Sequence, residues 1–161
     1  MNKESQENWD NYLMGIAEEV SKKSKDPSTK VGCVITTPDG AIRSTGFNGF
    51  PSGAIDDDPE MWKRPRKYLR VVHAEQNAIA LAAKHGTALD GCVAYVTLFP
   101  CATCAKFLIQ AGIKRVIAYE ASACYATLDT WKEEWKEATC LFEETGLEYQ
   151  VLPRPSNKYS S

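Results

Sequence analysis

The stretch CVAYVTLFPCATCAKFLIQAGIKRVIAY, residues 92–119, decides the fold. Cys92–Thr97 and Arg115–Tyr119 are apolar runs of strand length, rich in β-branched and aromatic residues. Between them, residues 102–112 carry helical spacing and stop at Gly112, a residue suited to the left-handed turn that closes a helix. Strand, helix and strand in such close order place the two strands parallel, joined by a helical crossover.

Upstream, Val31–Thr37 and Ala41–Phe47 are two further strands separated by Pro38-Asp39-Gly40, which reads as a hairpin turn, so they pair antiparallel. Tyr12, Leu13, Ile16, Ala17 and Val20 recur at helical spacing and predict an amphipathic helix over residues 5–24 that stops at Asp26-Pro27. AEQNAIALAAKH predicts a helix over 74–85. Downstream, residues 127–145 form a helix with Trp131, Trp135, Ala138 and Phe142 on one face, and Glu148–Leu152 is a last short strand. The tail RPSNKYSS is expected to fray. No linker or internal repeat divides the chain. The expectation is a single domain over residues 1–161 with its core at 9–152: α/β, a mixed five-stranded sheet with helices on both faces.

With 161 residues, 43% of them hydrophobic and 25% charged, the chain can bury a core without disulfides and is neither disordered nor fibrous in composition. Lys+Arg 19 against Asp+Glu 21 gives a net charge of −2, which argues against long nucleic acid as a partner and leaves room for a small anionic ligand held by local donors. No apolar run approaches the roughly 20 residues that cross a bilayer. The start, MNKESQENWDNY, is too polar for a secretory signal, so a reducing cytoplasm is expected and the six cysteines read as thiols or metal ligands. From Asn48 to Val72 the sequence turns charged and turn-rich without sustained periodicity, and reads as one long functional loop.

Chemistry concentrates in two places. His73 lies in HAEQNAI (73–79), and Cys101 and Cys104 lie in PCATC (100–104). On a helix three residues advance about 300°, so Cys101 and Cys104 project within roughly 60° of each other and can share an ion. His73 supplies a third donor, and this set suits Zn²⁺. A structural zinc takes four protein ligands, so three leave one position for a reacting water. Glu75 sits about 200° around a helix from His73, which places it beside that water rather than on the metal. Both segments open helices, at His73-Ala74 and Pro100-Cys101, where free N–H groups favour thiolate. Taken singly, CxxC also fits a reducible pair or packed thiols, and a lone His fits an ordinary hydrogen-bonded residue. Jointly the residues match the H-x-E…P-C-x-x-C pattern of zinc deaminases acting on nucleobases.

On these residues the sequence resembles the cytidine/deoxycytidylate deaminase superfamily, and within it the phage-type deoxycytidylate (dCMP) deaminases. The resemblance runs from Trp9 to Leu152 and rests on SKDPSTKVG (24–32), GFNGFPSG (46–53), HAEQNAI, TLFPCATC (97–104) and QAGIKRVI (110–117). It implies a three-layer α/β/α cytidine deaminase-like fold and zinc-dependent hydrolysis of dCMP to dUMP and ammonia, which would feed thymidylate synthesis. It further implies that Glu75 shuttles protons and the Ala74 N–H holds the pyrimidine carbonyl. Thr29 and Tyr125 are then placed near the substrate, although Tyr125, in ASACYAT, reads equally well as a partly exposed aromatic at a helix entrance. Asn48 faces either a sugar or an effector.

The same resemblance implies a homohexamer activated by dCTP and inhibited by dTTP, with Mg²⁺ accompanying the effector triphosphate. The residues expected to meet an effector are Asn48, Gly49, Gly53, Asp58 and Arg70, the glycines through accessible N–H groups. Some phage relatives carry a second, structural zinc. This chain has no Cys before Cys33 and no His before His73, so one zinc per subunit is expected, with Cys33, Cys92, Cys124 and Cys140 as packed thiols. The alternatives are a deaminase of another cytosine substrate (dCTP, a free nucleoside or nucleic acid) and a noncatalytic nucleotide sensor that keeps zinc for stability.

Overall fold

A computed structural model of the chain describes residues 2–121 and 129–156. Helix α1 (Lys3–Ser21) leads into the hairpin of β1 (Gly32–Thr36) and β2 (Ile42–Phe47). A 3-10 turn (Pro59–Trp62) and the short helix α2 (Arg66–Arg70) precede α3 (Ala74–Lys84), β3 (Val93–Val96), α4 (Ala102–Gln110) and β4 (Arg115–Tyr119). The helix α5 (Asp129–Thr145) and the strand β5 (Glu148–Leu152) complete the described elements. The sheet order is β2-β1-β3-β4-β5. β1 pairs antiparallel with both β2 and β3, whereas β3 with β4 and β4 with β5 are parallel, the mixed sheet that the crossover and the hairpin require.

The central strands lie between two helical layers, which is why they read as unbroken apolar runs instead of alternating ones. All five residues of β1 and all four of β3 are buried, while the edge strand β2 buries only Ser44 and Gly46 and the edge strand β5 has no fully buried residue. On one face α1 packs Leu13, Met14 and Ala17 against Val34, Tyr95 and Ile117. On the other, Ala74, Ala78 and Ala82 of α3, Ala105 and Leu108 of α4, and Ala138 and Phe142 of α5 cover Cys33, Ile35, Ala94, Val96 and Val116. Each fully buried Leu or Phe contributes about 1.5–3 kcal/mol, so both layers are substantial. Among the described residues no helix is long and apolar enough to cross a membrane.

One sequence reading changes. The segment 48–72 is not one loop. Gly49 and Val72 close it with paired backbone hydrogen bonds of 3.1 and 2.8 Å, and it holds the 3-10 turn and α2. Phe50 stacks on Trp62 with ring centroids 4.0 Å apart, and the Trp62 indole donates to the Asp56 carbonyl, giving the segment a small core of its own. Helical pieces of four and five residues are too short to show periodicity in the sequence. At the start of the tail expected to fray, the Arg154 guanidinium donates to the carbonyls of Thr97 (2.9 Å) and Glu120 (3.3 Å), and residues 157–161 of that tail lie outside the described residues. Of the helix 127–145, the described part runs from Asp129, and Trp135 lies half-buried against the core.

Candidate active site

Helices α3 and α4 begin side by side at the end of the sheet, and their first residues carry the chemistry. His73 is the cap residue of α3 and Cys101 that of α4, both extended (ψ 158° and 169°) rather than helical. Cys101 and Cys104 therefore meet without the helical side-chain spacing expected of them, since Cys101 is not a helical residue. The Cys101 sulfur turns back over the first turn and accepts from the Cys104 N–H at 3.5 Å, which brings the two sulfurs together. His73 Nδ1 lies 3.5 Å from Cys101 Sγ and 3.3 Å from Cys104 Sγ, and the three donor atoms all fall within 4.8 Å of one another. An imidazole nitrogen and two sulfurs this close fit a zinc ion. Among the described residues the cluster contains no fourth donor.

α3 is held against β2 at close range. A side chain on Gly46 would meet the Ala74 carbonyl at 2.2 Å and the Ala78 nitrogen at 2.4 Å, so only glycine lets the helix start where it does. Ser44 Oγ donates to the Ala78 carbonyl (2.7 Å) and Asn77 Nδ2 to the Phe47 carbonyl (2.7 Å). Gln76 Oε1 accepts from the His73 N–H at 2.9 Å and so fixes the ligand's backbone. Gln three residues after a helix cap is a capping-box signal that the reading of HAEQ passed over.

Glu75 is 4% exposed, behind the triad. Burial pushes its carboxyl up to about 7, against the opposing pull of nearby His73. Hydrogen bonding from Cys104, reinforced by His73, pulls the Cys101 thiol down, while the bond to Cys101 and burial push the Cys104 thiol up. The site opens into a cavity of about 150 Å³ lined by His73, Ala74, Glu75 and Cys101, with Thr29 and Asn48 on its wall.

Thr29, Ala74 and Asn48 are thus gathered around Glu75, while Gly49, Gly53, Asp58 and Arg70 do not line this cavity. Tyr125 and Cys124 lie outside the described residues. The expectation of accessible N–H groups fails at Gly49, whose N–H is spent on the Val72 carbonyl. Asn48 commits both amide hydrogens, to Asp26 Oδ2 (3.2 Å) and the Thr29 carbonyl (2.8 Å), and accepts from the Val31 N–H (2.8 Å), so it pins the cavity wall. Asp58 caps the 3-10 turn through the Glu60 N–H, Arg70 lies 5.1 Å over the Phe50 ring, and Gly53 is an exposed turn residue with φ +85°. Lys67, one of the bases of the segment, is buried in an ion pair with Asp26 (2.7 Å) and does not face solvent. That pair spans 41 residues and leaves no local sequence signal. Cys33 and Cys92 are buried thiols, as expected, and Cys140 is half-buried.

Comparison with known proteins agrees with this geometry. A family model described as "Cytidine and deoxycytidylate deaminase zinc-binding region" matches residues 7–120. An uncharacterized deaminase from the luxG 3' region of Aliivibrio fischeri is 41% identical over 145 residues, 90% of this chain and 94% of that protein. A probable deoxycytidylate deaminase of Caenorhabditis elegans is 50% identical over 112 residues, covering 67% of this chain; the match spans 55% of that longer protein. The crystal structure of dCMP deaminase from the cyanophage S-TIM5 in complex with dCMP and dUMP superposes with a TM-score of 0.69 at 27% identity, covering 94% of this chain and 99% of that one.

Proposed function

The chain belongs to the cytidine and deoxycytidylate deaminase family and is a hydrolytic deaminase, and from that premise we propose that it converts dCMP to dUMP and ammonia. The observation that carries the reading is the buried carboxyl of Glu75 set against a His-Cys-Cys triad at the floor of a cavity. Zinc held by His73, Cys101 and Cys104 supplies the Lewis acidity that makes water a nucleophile at neutral pH. Glu75 takes a proton from the attacking water and delivers it to N3 of the ring as the oxygen adds to C4. It then moves the remaining hydroxyl proton to the amino group, and the C4–N bond breaks to release ammonia. A carboxyl poised near 7 suits both directions of transfer. Ala74, first residue of α3, offers an N–H without a partner inside its helix to the pyrimidine carbonyl. Thr29, on the cavity wall, and Tyr125 complete the substrate set in this reading.

The choice of a nucleotide rests on the named relatives and on Arg64. Of the two cations lining the cavity, Lys67 is neutralised by Asp26, whereas Arg64 is exposed and bridged to no carboxylate among the described residues. Control by dCTP and dTTP, with Mg²⁺ beside the triphosphate, and assembly into a homohexamer in the cytoplasm belong to the same proposal. Gly53, in an exposed turn, leaves its surroundings open to an effector, and Leu69 on α2, 89% exposed, is an apolar side chain that a contact between subunits would cover. The test is loss of cytosine absorbance for dCMP, deoxycytidine, dCTP and a single-stranded oligonucleotide, each with and without dCTP or dTTP as effector, alongside the mass in solution. Preference for dCMP supports the reading; preference for the oligonucleotide or the free nucleoside overturns it.

A further inference from the structure

Helix α5 reaches across the fold and grips the segment that carries Cys101 from both sides. The Trp135 indole N–H donates to the carbonyl of Phe99 at 3.2 Å, two residues before the ligand. The neighbouring side chain, Glu134, accepts from the N–H of Ala102 at 2.9 Å, one residue after it. Ala102 is the first residue of α4, so its N–H is one of the four that the helix cannot satisfy internally. A carboxylate there also lies at the favourable end of the helix dipole. Below these contacts, Ala138 and Phe142 of α5 pack with Ala105 and Leu108 of α4, so the grip is anchored in the core and does not hang from a loop.

This matters because the Cys101 sulfur, which accepts from the Cys104 N–H at 3.5 Å, can meet its neighbours only while the Cys101 backbone is held in place. The residue is an extended cap whose carbonyl accepts from the Ala105 N–H at 2.9 Å, so the Cys101–Ala102 peptide is held by the helix through its oxygen and by Glu134 through its N–H, while its Sγ must stay within reach of His73 Nδ1, 3.5 Å away. Rotating the peptides on either side would swing the sulfur off the triad. We propose that Glu134 is a positioning residue for the metal ligands, its carboxylate fixing the Cys101–Ala102 peptide and thereby controlling how firmly zinc is retained. Nothing in PCATC signals this, since the partner lies 32 residues away.

The inference rests on zinc being held by the triad, so the zinc content of the unaltered protein is measured first; a protein without zinc defeats the reading of the site itself. The informative variants are Glu134→Ala, which removes the acceptor, Glu134→Asp, which keeps the charge on a side chain one methylene too short, and Glu134→Gln, which keeps an acceptor oxygen at the same reach. Transfer of zinc from the loaded enzyme to a colorimetric chelator is followed well below the melting temperature, with Leu13→Ala on the opposite face of the sheet as a destabilised control. Expected is a loss of zinc affinity of about 10–100-fold for Ala and Asp, as when a group supporting a ligand is removed, with Gln within about threefold of the parent. Wild-type retention in Glu134→Ala overturns the proposal. So does a Gln variant that behaves like Ala, or zinc loss in Leu13→Ala matching that of Glu134→Ala at an equal fall in melting temperature.

Discussion

Two buried carboxyls lie on opposite faces of one sheet, Asp10 at 3% exposure and Glu75 at 4%, and they have opposite fates. Asp10, on α1, is saturated: Arg115 grips it through two bonds of 3.0 and 2.7 Å, the Tyr95 hydroxyl donates at 3.0 Å, and Gln6 adds a fourth contact. Its oxygens are all engaged, so the group ties α1 to β3 and β4. Glu75 has no ion-pair partner among the described residues. Burial outweighs the opposing pull of His73 and raises its affinity for a proton to the range where it can take one up and give one back. A paired carboxyl holds the fold; one without an ion-pair partner is the candidate for chemistry.

Removing a donor from the triad should produce the largest effect. Cys104→Ala is expected to lose both zinc and turnover, measured by metal analysis and cytosine absorbance, while Asp10→Ala keeps zinc and turnover per folded chain. Asp10→Ala instead strands Arg115, which is 21% exposed in its side chain, and costs about 3–5 kcal/mol in denaturant unfolding. Equal loss of zinc in both variants would erase the distinction between the faces.

The pH dependence sharpens the comparison. Glu75 has a folded-state value of about 7 against an ordinary 4.5, so the folded state favours the protonated form. Its contribution to stability is present below about 4.5 and is lost as pH rises through 7. At roughly 1.4 kcal/mol per pH unit, metal-free Glu75→Gln should gain up to roughly 3 kcal/mol over metal-free wild type between pH 5 and 8. Parallel stability curves would show that Glu75 is not a lone buried charge. The smallest effect is expected of Tyr95→Phe, which takes one donor from Asp10 and costs about 1.5 kcal/mol in thermal or denaturant unfolding, with turnover unchanged.

The clustering of His73, Cys101 and Cys104 was legible because their types and spacing are restrictive: H-x-E and P-C-x-x-C leave few other arrangements for them. The sheet was legible for a similar reason, since central strands buried on both faces read as continuous apolar runs. What stayed hidden were contacts between residues far apart in the chain. Glu134 on Ala102, Trp135 on Phe99 and Lys67 on Asp26 join residues separated by 32, 36 and 41 positions. Local pattern carries no trace of such pairings. The small core of the 48–72 segment was missed because a stacked Phe50–Trp62 pair can order a charged, turn-rich stretch without any periodic signal.

The central claim is that three side chains hold the metal while a fourth, Glu75, moves the protons. It is tested most directly by measuring zinc content and dCMP turnover on one preparation of Glu75→Ala. Zinc near one ion per chain with turnover reduced at least about 100-fold is the predicted result, the reduction being the lower end for general acid–base catalysis. Turnover retained, or zinc lost along with activity, would contradict that division of labour.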